Sequence, residues 1–421
     1  MQSDQSAQPL LNESPPEHRL GNAPHESVRA SDGSSPSANS RVCVFTSVHP
    51  PFDIRIFHKE CKSLAAAGYH VTLLAPCSHD RTIEAIRLRA VPQAKNRFHR
   101  LSRTLWHIYR QALHEDASVY HFHDPELIPV GLALRLHGKK VIYDIHEDLP
   151  RCMPYKPYLP RWLGKSAARA VEFFEDSAAR FFSGLVAATP GIAARFYRLN
   201  KRTVVVHNYP LMNELASTPY VPWENRDMLI AYVGSAVSIQ RGALEMVRAM
   251  GLLPDDLQAS LALAGPFSPH SLEKRLSQEP GWNRVHVCGV LDRDGVAGIL
   301  RRSRLGLVLQ HPEPNAMAGK PIKLFEYMAA GIPVISADFP LWRQIVEGAE
   351  CGLCVDPLDP RHISLAIRYL LAHPQEAQAM GSRGRRAIKE RFNWDREKRK
   401  LLGLYSELAT APPAGKSLAA A

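Results

Sequence analysis

The chain of 421 residues contains no run of about 18 apolar residues, so no membrane-spanning helix is expected. Its first residues lack the charged-then-apolar pattern of a secretory signal, which points to the cytoplasm. Cysteine is sparse: seven residues, odd in number and scattered mostly through apolar segments, the usage of free thiols rather than of a disulfide framework. Cys351 and Cys354 form a C-x-x-C pair without the second Cys or His pair that a zinc site needs, so no metal is expected. Acidic residues are outnumbered, with 41 Asp and Glu against 52 Lys and Arg and a net charge of +11. Such a balance suits nucleic acid, anionic lipid or anionic small substrates. No zinc-finger spacing or other nucleic-acid motif is present, so nucleic acid is not an expected partner. The basic residues are dispersed, a balance that suits an anionic membrane surface, though they crowd between Arg383 and Lys400 in what also reads as a solvated helix face.

What is present is alternation. Residues 1–40 are rich in Ser, Pro, Asn, Gln and Glu and read as a disordered tail, as do 411–421. From Arg41 short apolar runs such as RVCVFTS, HVTLLA, SVYHFH, KKVIYDI, GLVAAT and TVVVH alternate with helical spacings over Ile56–Ala67, Arg97–Asp116 and Leu127–Leu136. Pro210, Pro219 and Pro222 mark a linker over Tyr209–Asp227, after which the alternation restarts with Met228–Val233, SLALA, VHVC, LGLVL, PVISA and LCVD. The class is therefore α/β, with two similar parallel-sheet halves spanning 41–215 and 216–390. Ligands of such sheets bind beyond the carboxyl ends of the strands, so the site is expected in a cleft between the halves.

Four segments place chemistry there. In Glu313–Ala337, a loop with Asn315, Gly319 and Lys320 enters a helix whose first residue is expected to be Pro321 and which Gly331 and Pro333 end. Free N–H groups and nearby lysines at that end suit a phosphate. Lys323 and Glu326 share a helix face, and Glu326 could accept from a ribose diol. A capped, solvated surface helix explains the same residues equally well. In Tyr232–Gly242, Gly234 and Ser235 follow a strand, and Arg241 and Gly242 open a helix, a loop of phosphate size or an ordinary turn. HFHDPE places His123, Asp124 and Glu126 at one strand end, and DIHED places His146 and Glu147 at the next, as hydroxyl binders, acid–base groups or metal ligands. In TSVHPPFDIR, Asp53 and Arg55 either contact a sugar or pair with each other.

Taken in order, HDPELIP, YDIHEDLP, KPIKLFEYMAAGIPVIS and RFNWDREKRKLLGLY resemble the retaining glycosyltransferases of family four, which have the GT-B fold, and among them bacterial enzymes of surface polysaccharide synthesis. The resemblance spans about Arg41 to Leu408. It implies two Rossmann-like domains facing each other, the first for the acceptor and the second for the donor, with a helix over 391–410 crossing back to the first. It implies a UDP- or GDP-sugar as co-substrate, a saccharide or lipid-linked saccharide as acceptor, no obligatory metal, and retention at the anomeric carbon. The donor set becomes Gly234, Ser235, Arg241, Gly242, Gly319, Lys320, Lys323, Leu324 and Glu326, of which Arg241, Lys323 and Glu326, with His146, carry catalysis. Asp53, Arg55, His123, Asp124, Glu126, Glu147 and Asn315 fall to the acceptor or the cleft. Two positions depart from the family pattern: Ala318 stands where an upstream glutamate is usual, and Ser235 where a second arginine is common. These departures favour the rival reading of a non-catalytic sugar-nucleotide-binding scaffold, while the enzymatic rival on the same fold is a sugar-nucleotide epimerase, which would turn over without an acceptor. The amphipathic stretch RWLGKSAARAVEFFEDSAAR (161–180) either packs on its own sheet or touches an anionic membrane.

Overall fold

The computed structural model describes residues 40–155, 161–211 and 221–410, and within these strands and helices alternate. The first sheet contains β1 (Arg41–Phe45), β2 (His70–Pro76), β3 (Arg81–Ile83), β4 (Ile86–Val91), β5 (Val119–Phe122), β6 (Lys140–Ile145), β7 (Gly184–Ala187) and β8 (Thr203–Val205). The second contains β9 (Leu229–Val233), β10 (Ser260–Ala264), β11 (Val285–Gly289), β12 (Leu305–Val308), β13 (Val334–Ala337) and β14 (Gly352–Val355). The orders are β3-β4-β2-β1-β5-β6-β7-β8 and β11-β10-β9-β12-β13-β14. All pairings are parallel except β3 with β4. Each sheet thus winds outward both ways from its first strand. The order reverses between β1 and β5 in one and between β9 and β12 in the other, and those are the points where such sheets take ligands.

The strands are near-continuous apolar runs because helices cover both faces. Phe45, Phe122 and Tyr143 stack across one face of the first sheet, with Phe45 and Phe122 centroids 5.7 Å apart and Phe122 and Tyr143 4.7 Å apart. In the second lobe β9 and β12 supply Ile230, Tyr232, Leu305 and Leu307 to one core, while Ala231, Val233 and Val308 face another with Leu324, Phe325 and Tyr327.

The strand readings hold to within a residue or two at their ends. The hairpin strand β3 is new. It is short and mostly exposed, and its turn puts Glu84 and Ala85 at φ 47° and 64°, left-handed values usually carried by Gly or Asn. Pro321 is the cap residue rather than the first helical one, with ψ 129°, and the helix itself is Ile322–Ala330. Gly331 ends it at φ 70°, as the sequence indicates. The 1–40 and 411–421 tails, residue 40 aside, and the 215/216 division lie outside the described residues.

After the helix Pro374–Glu390 the chain turns at Asn393, and Trp394–Thr410 lies back on the first lobe. Trp394, Leu401, Leu404, Tyr405 and Leu408 pack with Val42, Val44, Ile142 and Val186. Trp394 Nε1 donates to Ser63 Oγ at 2.8 Å, and Lys140 Nζ to the Leu408 carbonyl at 2.6 Å. This is the two-lobed GT-B architecture with its returning C-terminal helix. Because Trp394 is 1% exposed and bonded, Trp394→Ala is expected to cost about 3–5 kcal/mol. Urea unfolding of the full chain checks this, and a loss under about 1 kcal/mol would mean the helix is only loosely seated.

Candidate functional site

In the first lobe the loop after β1 meets the loop after β5. Asp124 accepts from Thr46 Oγ1 at 2.7 Å, Ser47 N at 2.6 Å and Ser47 Oγ at 3.2 Å. Glu126 accepts from Ser47 Oγ at 2.9 Å and pairs with Arg100 at 2.6 Å. Asp53 caps the helical turn that follows it, accepting from Arg55 N and Ile56 N, and pairs with His49 at 3.3 Å. Asp53, Asp124 and Glu126 therefore fix the loop that frames the cleft. Burial would lower the His49 pKa, but the bond to Asp53 and the Asp124 and Asp144 carboxylates raise it.

Beneath that loop lies a buried polar network. Arg55 donates to both oxygens of Asp144, at 2.9 to 3.1 Å, and to the Val206 carbonyl at 2.9 Å. The pair of Arg55 with Asp53, left open by the sequence, gives way to this bidentate one with Asp144. His121 and His123, two apart on β5 and its end, point the same way and stack at 4.8 Å. His121 Nδ1 meets Tyr405 Oη of the returning helix at 2.9 Å, and His123 Nδ1 meets His146 Nε2 at 3.2 Å. Burial lowers the pKa of both His121 and His123, leaving them neutral. Burial and the neighbouring Asp144 raise Glu60, whereas Asp144, despite burial, is held well below the carboxylate range by Arg55 and the histidines.

Ligand atoms of Glu60, His121, His123 and Asp144 lie within 4.8 Å of one another. Among the described residues both Glu60 oxygens, His121 Nε2 and His123 Nε2 lack hydrogen-bond partners. By donor type this set suits a divalent transition ion. Against that, the Arg55 guanidinium already touches Asp144 and stands 2.9 Å from Glu60 Oε1, so an ion there would sit against a buried cation.

In the second lobe Gly234 and Ser235 follow β9. Arg241 Nη1 donates to Ser235 Oγ at 3.0 Å, so the serine that replaces a common arginine positions the remaining one. Gly242 has φ 77°, and a Cβ there would stand 2.1 Å from the Leu309 carbonyl, so only glycine fits between this turn and β12. Lys323 reaches under the loop: its Nζ lies 3.8 Å from the Tyr232 ring centroid, and a Cβ on Gly234 would come within 3.0 Å of it. Burial, then the Arg241 charge, brings the Lys323 pKa down to about 7, with Glu326 opposing. Glu326 Oε1 accepts from Arg293 at 2.8 Å, a partner with no signal in the sequence. Leu324 is fully buried in the core, so its side chain does not face a donor.

A cavity of about 360 Å³ lies between the lobes, lined by Arg55, His146 and Glu147 from one and Asn315, Gly319 and Lys320 from the other. Lys320 points at the hinge, 3.0 Å from His207 Nε2 and 3.2 Å from Tyr209 Oη, rather than toward Lys323. The expected site residues thus separate: Gly234 and Arg241 lie around Lys323, while Arg55, His146, Glu147, Asn315, Gly319 and Lys320 line the cavity, and Asp53, Asp124 and Glu126 hold the loop after β1. The six described cysteines are free, and burial pushes the Cys351 thiol up to about 12, the reverse of a metal-binding thiolate.

Comparison with known proteins agrees with this layout. Residues 55–209 match a glycosyl transferase 4-like domain, and 221–387 match glycosyl transferases group 1. A phosphatidyl-myo-inositol mannosyltransferase of Mycobacterium leprae is 22% identical over 367 residues, covering 83% of this chain and 91% of its own. Sucrose-phosphate synthase from Thermosynechococcus elongatus superposes with TM-score 0.69 at 19% identity, covering 88% of this chain and 99% of that one. WaaG, a glycosyltransferase involved in lipopolysaccharide biosynthesis, does so with TM-score 0.67 at 18% identity, covering 88% and 100%. The chain is a glycosyltransferase-like protein of GT-B fold.

Losing one partner of a buried ion pair leaves the other charge stranded. Arg55→Met is expected to destabilise the protein by about 3–5 kcal/mol in denaturant unfolding, and the double variant Arg55→Met/Asp144→Leu should recover most of that. Equal losses in the single and double variants would show that the ion pair itself is not what holds the loop.

Proposed function

We propose that this chain is a retaining hexosyltransferase of the family-four type, moving a sugar from a UDP- or GDP-sugar to a saccharide or lipid-linked saccharide at the inner face of a cell membrane, in surface polysaccharide synthesis. The observation that carries the reading is Lys323, buried beneath the glycine loop at the strand reversal of the second sheet, beside Arg241 and without a paired carboxylate of its own. A buried lysine with a pKa near 7 gains its proton when an anion arrives. Arg241, Lys323 and the start of the Ile322–Ala330 helix then stabilise the charge that grows on the departing diphosphate. The bond from anomeric carbon to phosphate oxygen breaks, and the acceptor hydroxyl oxygen bonds to that carbon from the same face. The acceptor's proton passes to the leaving phosphate oxygen, so no side-chain base is needed. His146, at the cleft and bonded to His123, orients the donor sugar. Arg293 holds Glu326 toward a ribose, and Asn315 or Glu313 takes the sugar contacts that Ala318 cannot make. With cations at both groups the chemistry needs no bound metal, and turnover should survive a chelator. WaaG's stated role in lipopolysaccharide synthesis supports the polysaccharide setting.

Thermal shift against UDP, GDP, ADP and their sugar conjugates tests the donor site, because a ligand that binds only the folded state raises its apparent stability. One nucleotide class should stabilise the protein, and Arg241→Ala or Glu326→Ala should abolish the shift. Stabilisation by none at saturating concentration would sink the transferase reading. Titration with pH is a second check. The free Lys323 loses its proton above about pH 7, and a bound diphosphate restores it. Nucleotide affinity should therefore weaken from pH 7 to 8.5 by up to about tenfold per unit, and Lys323→Arg should flatten the dependence. A flat wild-type profile in calorimetry would mean that Lys323 does not meet the diphosphate.

A further inference from the structure

Three large apolar side chains stand in water on one stretch of the first lobe: Phe98, Leu101 and Trp106 are 82%, 56% and 60% exposed. The stretch is helical from Arg97 to Glu115, with Asn96 capping it through the His99 N–H. It is held to the core by Ile108 and Ala112, so the exposed side chains are displayed by a seated element rather than by a loop.

Their surroundings carry one sign of charge. From Ala85 to His114 the sequence holds no Asp or Glu, and the helical stretch brings Arg97, Arg100, Arg103 and Arg110. Glu115, which ends the run, is buried and bonded to Arg87 and Arg89. The exposed Phe173 and Phe174 differ in this respect, because Glu172, Glu175 and Asp176 flank them in sequence. Leu136 is exposed at the far edge of the sheet, where its helix leads into β6.

Apolar and aromatic side chains on a helical stretch that carries arginines and, before Glu115, no carboxylate of its own fit a lipid interface with anionic headgroups: rings and leucine enter the acyl boundary, and guanidinium groups meet phosphates. A soluble acidic partner would use the charges but leave no role for Phe98. Position adds to this. The stretch follows β4, so it starts at the carboxyl edge of the first sheet, and Arg100 pairs with Glu126 of the cleft loop at 2.6 Å. We propose that the Arg97–Arg110 surface, rather than the 161–180 helix, seats the protein on an anionic bilayer with the first-lobe side of the cleft toward the headgroups. That this presents a lipid-linked acceptor to the cleft rests on the transferase reading; the seating itself does not.

Co-sedimentation of the full chain with phosphatidylcholine vesicles, with and without phosphatidylglycerol, tests it. The wild type should bind the anionic vesicles and release them at high salt. Phe98→Ser/Leu101→Ser/Trp106→Ser should weaken binding at least about tenfold, and Arg103→Glu/Arg110→Glu should do the same while removing the preference for anionic lipid. Phe173→Ser and Leu136→Ser should bind like wild type. A wild type that stays in solution, a triple variant that binds unchanged, or a loss confined to Phe173→Ser would each overturn the proposal. Nucleotide-induced thermal shift in the same variants reports folding and the donor site separately, so failure to bind vesicles leaves the transferase reading intact.

Discussion

The buried pair of Arg55 and Asp144 is the constraint on which the first lobe's half of the cleft depends. Burying two charges is unfavourable unless geometry and additional bonds compensate. Here the guanidinium meets both carboxylate oxygens and also the Val206 carbonyl, so one side chain ties the loop after β1 to the ends of β6 and β8. Burial lowers the pKa of the two histidines beside this pair and raises that of Glu60. The ring of His146 is then placed by His123 rather than by solvent. Tyr405 reaches this stack from the returning helix, so the C-terminal end of the described chain also bears on where His146 stands.

The two lobes share a winding order but are finished differently. In the first, each charged group at the strand ends is answered: Asp124 by hydroxyls and an amide, Glu126 by Arg100, Asp144 by Arg55. In the second, Lys323 is buried with another cation, Arg241, nearby and only Glu326 to offset them, while Glu326 is itself bonded to Arg293. A protein does not keep a depressed lysine for stability, since burial penalises its charged form. Such a group is useful where an anion comes and goes. The first lobe thus presents paired charges at its strand ends, and the second a positive charge that Glu326 only partly offsets.

Much of this was legible in the sequence because it is local. Parallel strands read as short apolar runs, and Gly331 and Pro333 mark a helix end whatever surrounds it. HFHDPE marks His123, Asp124 and Glu126 at a strand end, but His121, which stacks on His123, is passed over although strand period puts the two on one face. What was not legible is pairing over distance. Arg55 lies nearer in sequence to Asp53 than to Asp144, and nothing local says that the longer pairing wins. It does so because Asp53 is already committed to capping its own turn. Arg293 with Glu326 and Tyr405 with His121 are likewise products of folding. The missed strand β3 failed for a different reason: its turn uses Glu84 and Ala85 in a conformation that sequence rules assign to Gly or Asn.

The position of Lys320 bears on how the two halves of the site come together. Its ammonium sits on His207 and Tyr209, and His207 is held from its other side by Glu397 of the returning helix, through its backbone N–H at 2.9 Å. The donor loop, the hinge and the returning helix are thus joined through one histidine. Burial lowers the pKa of Lys320, so holding its ammonium at this contact carries a cost. Lys320 and Lys323, three residues apart, thus face different ways, one toward His207 and Tyr209 and the other toward Tyr232 beneath the glycine loop.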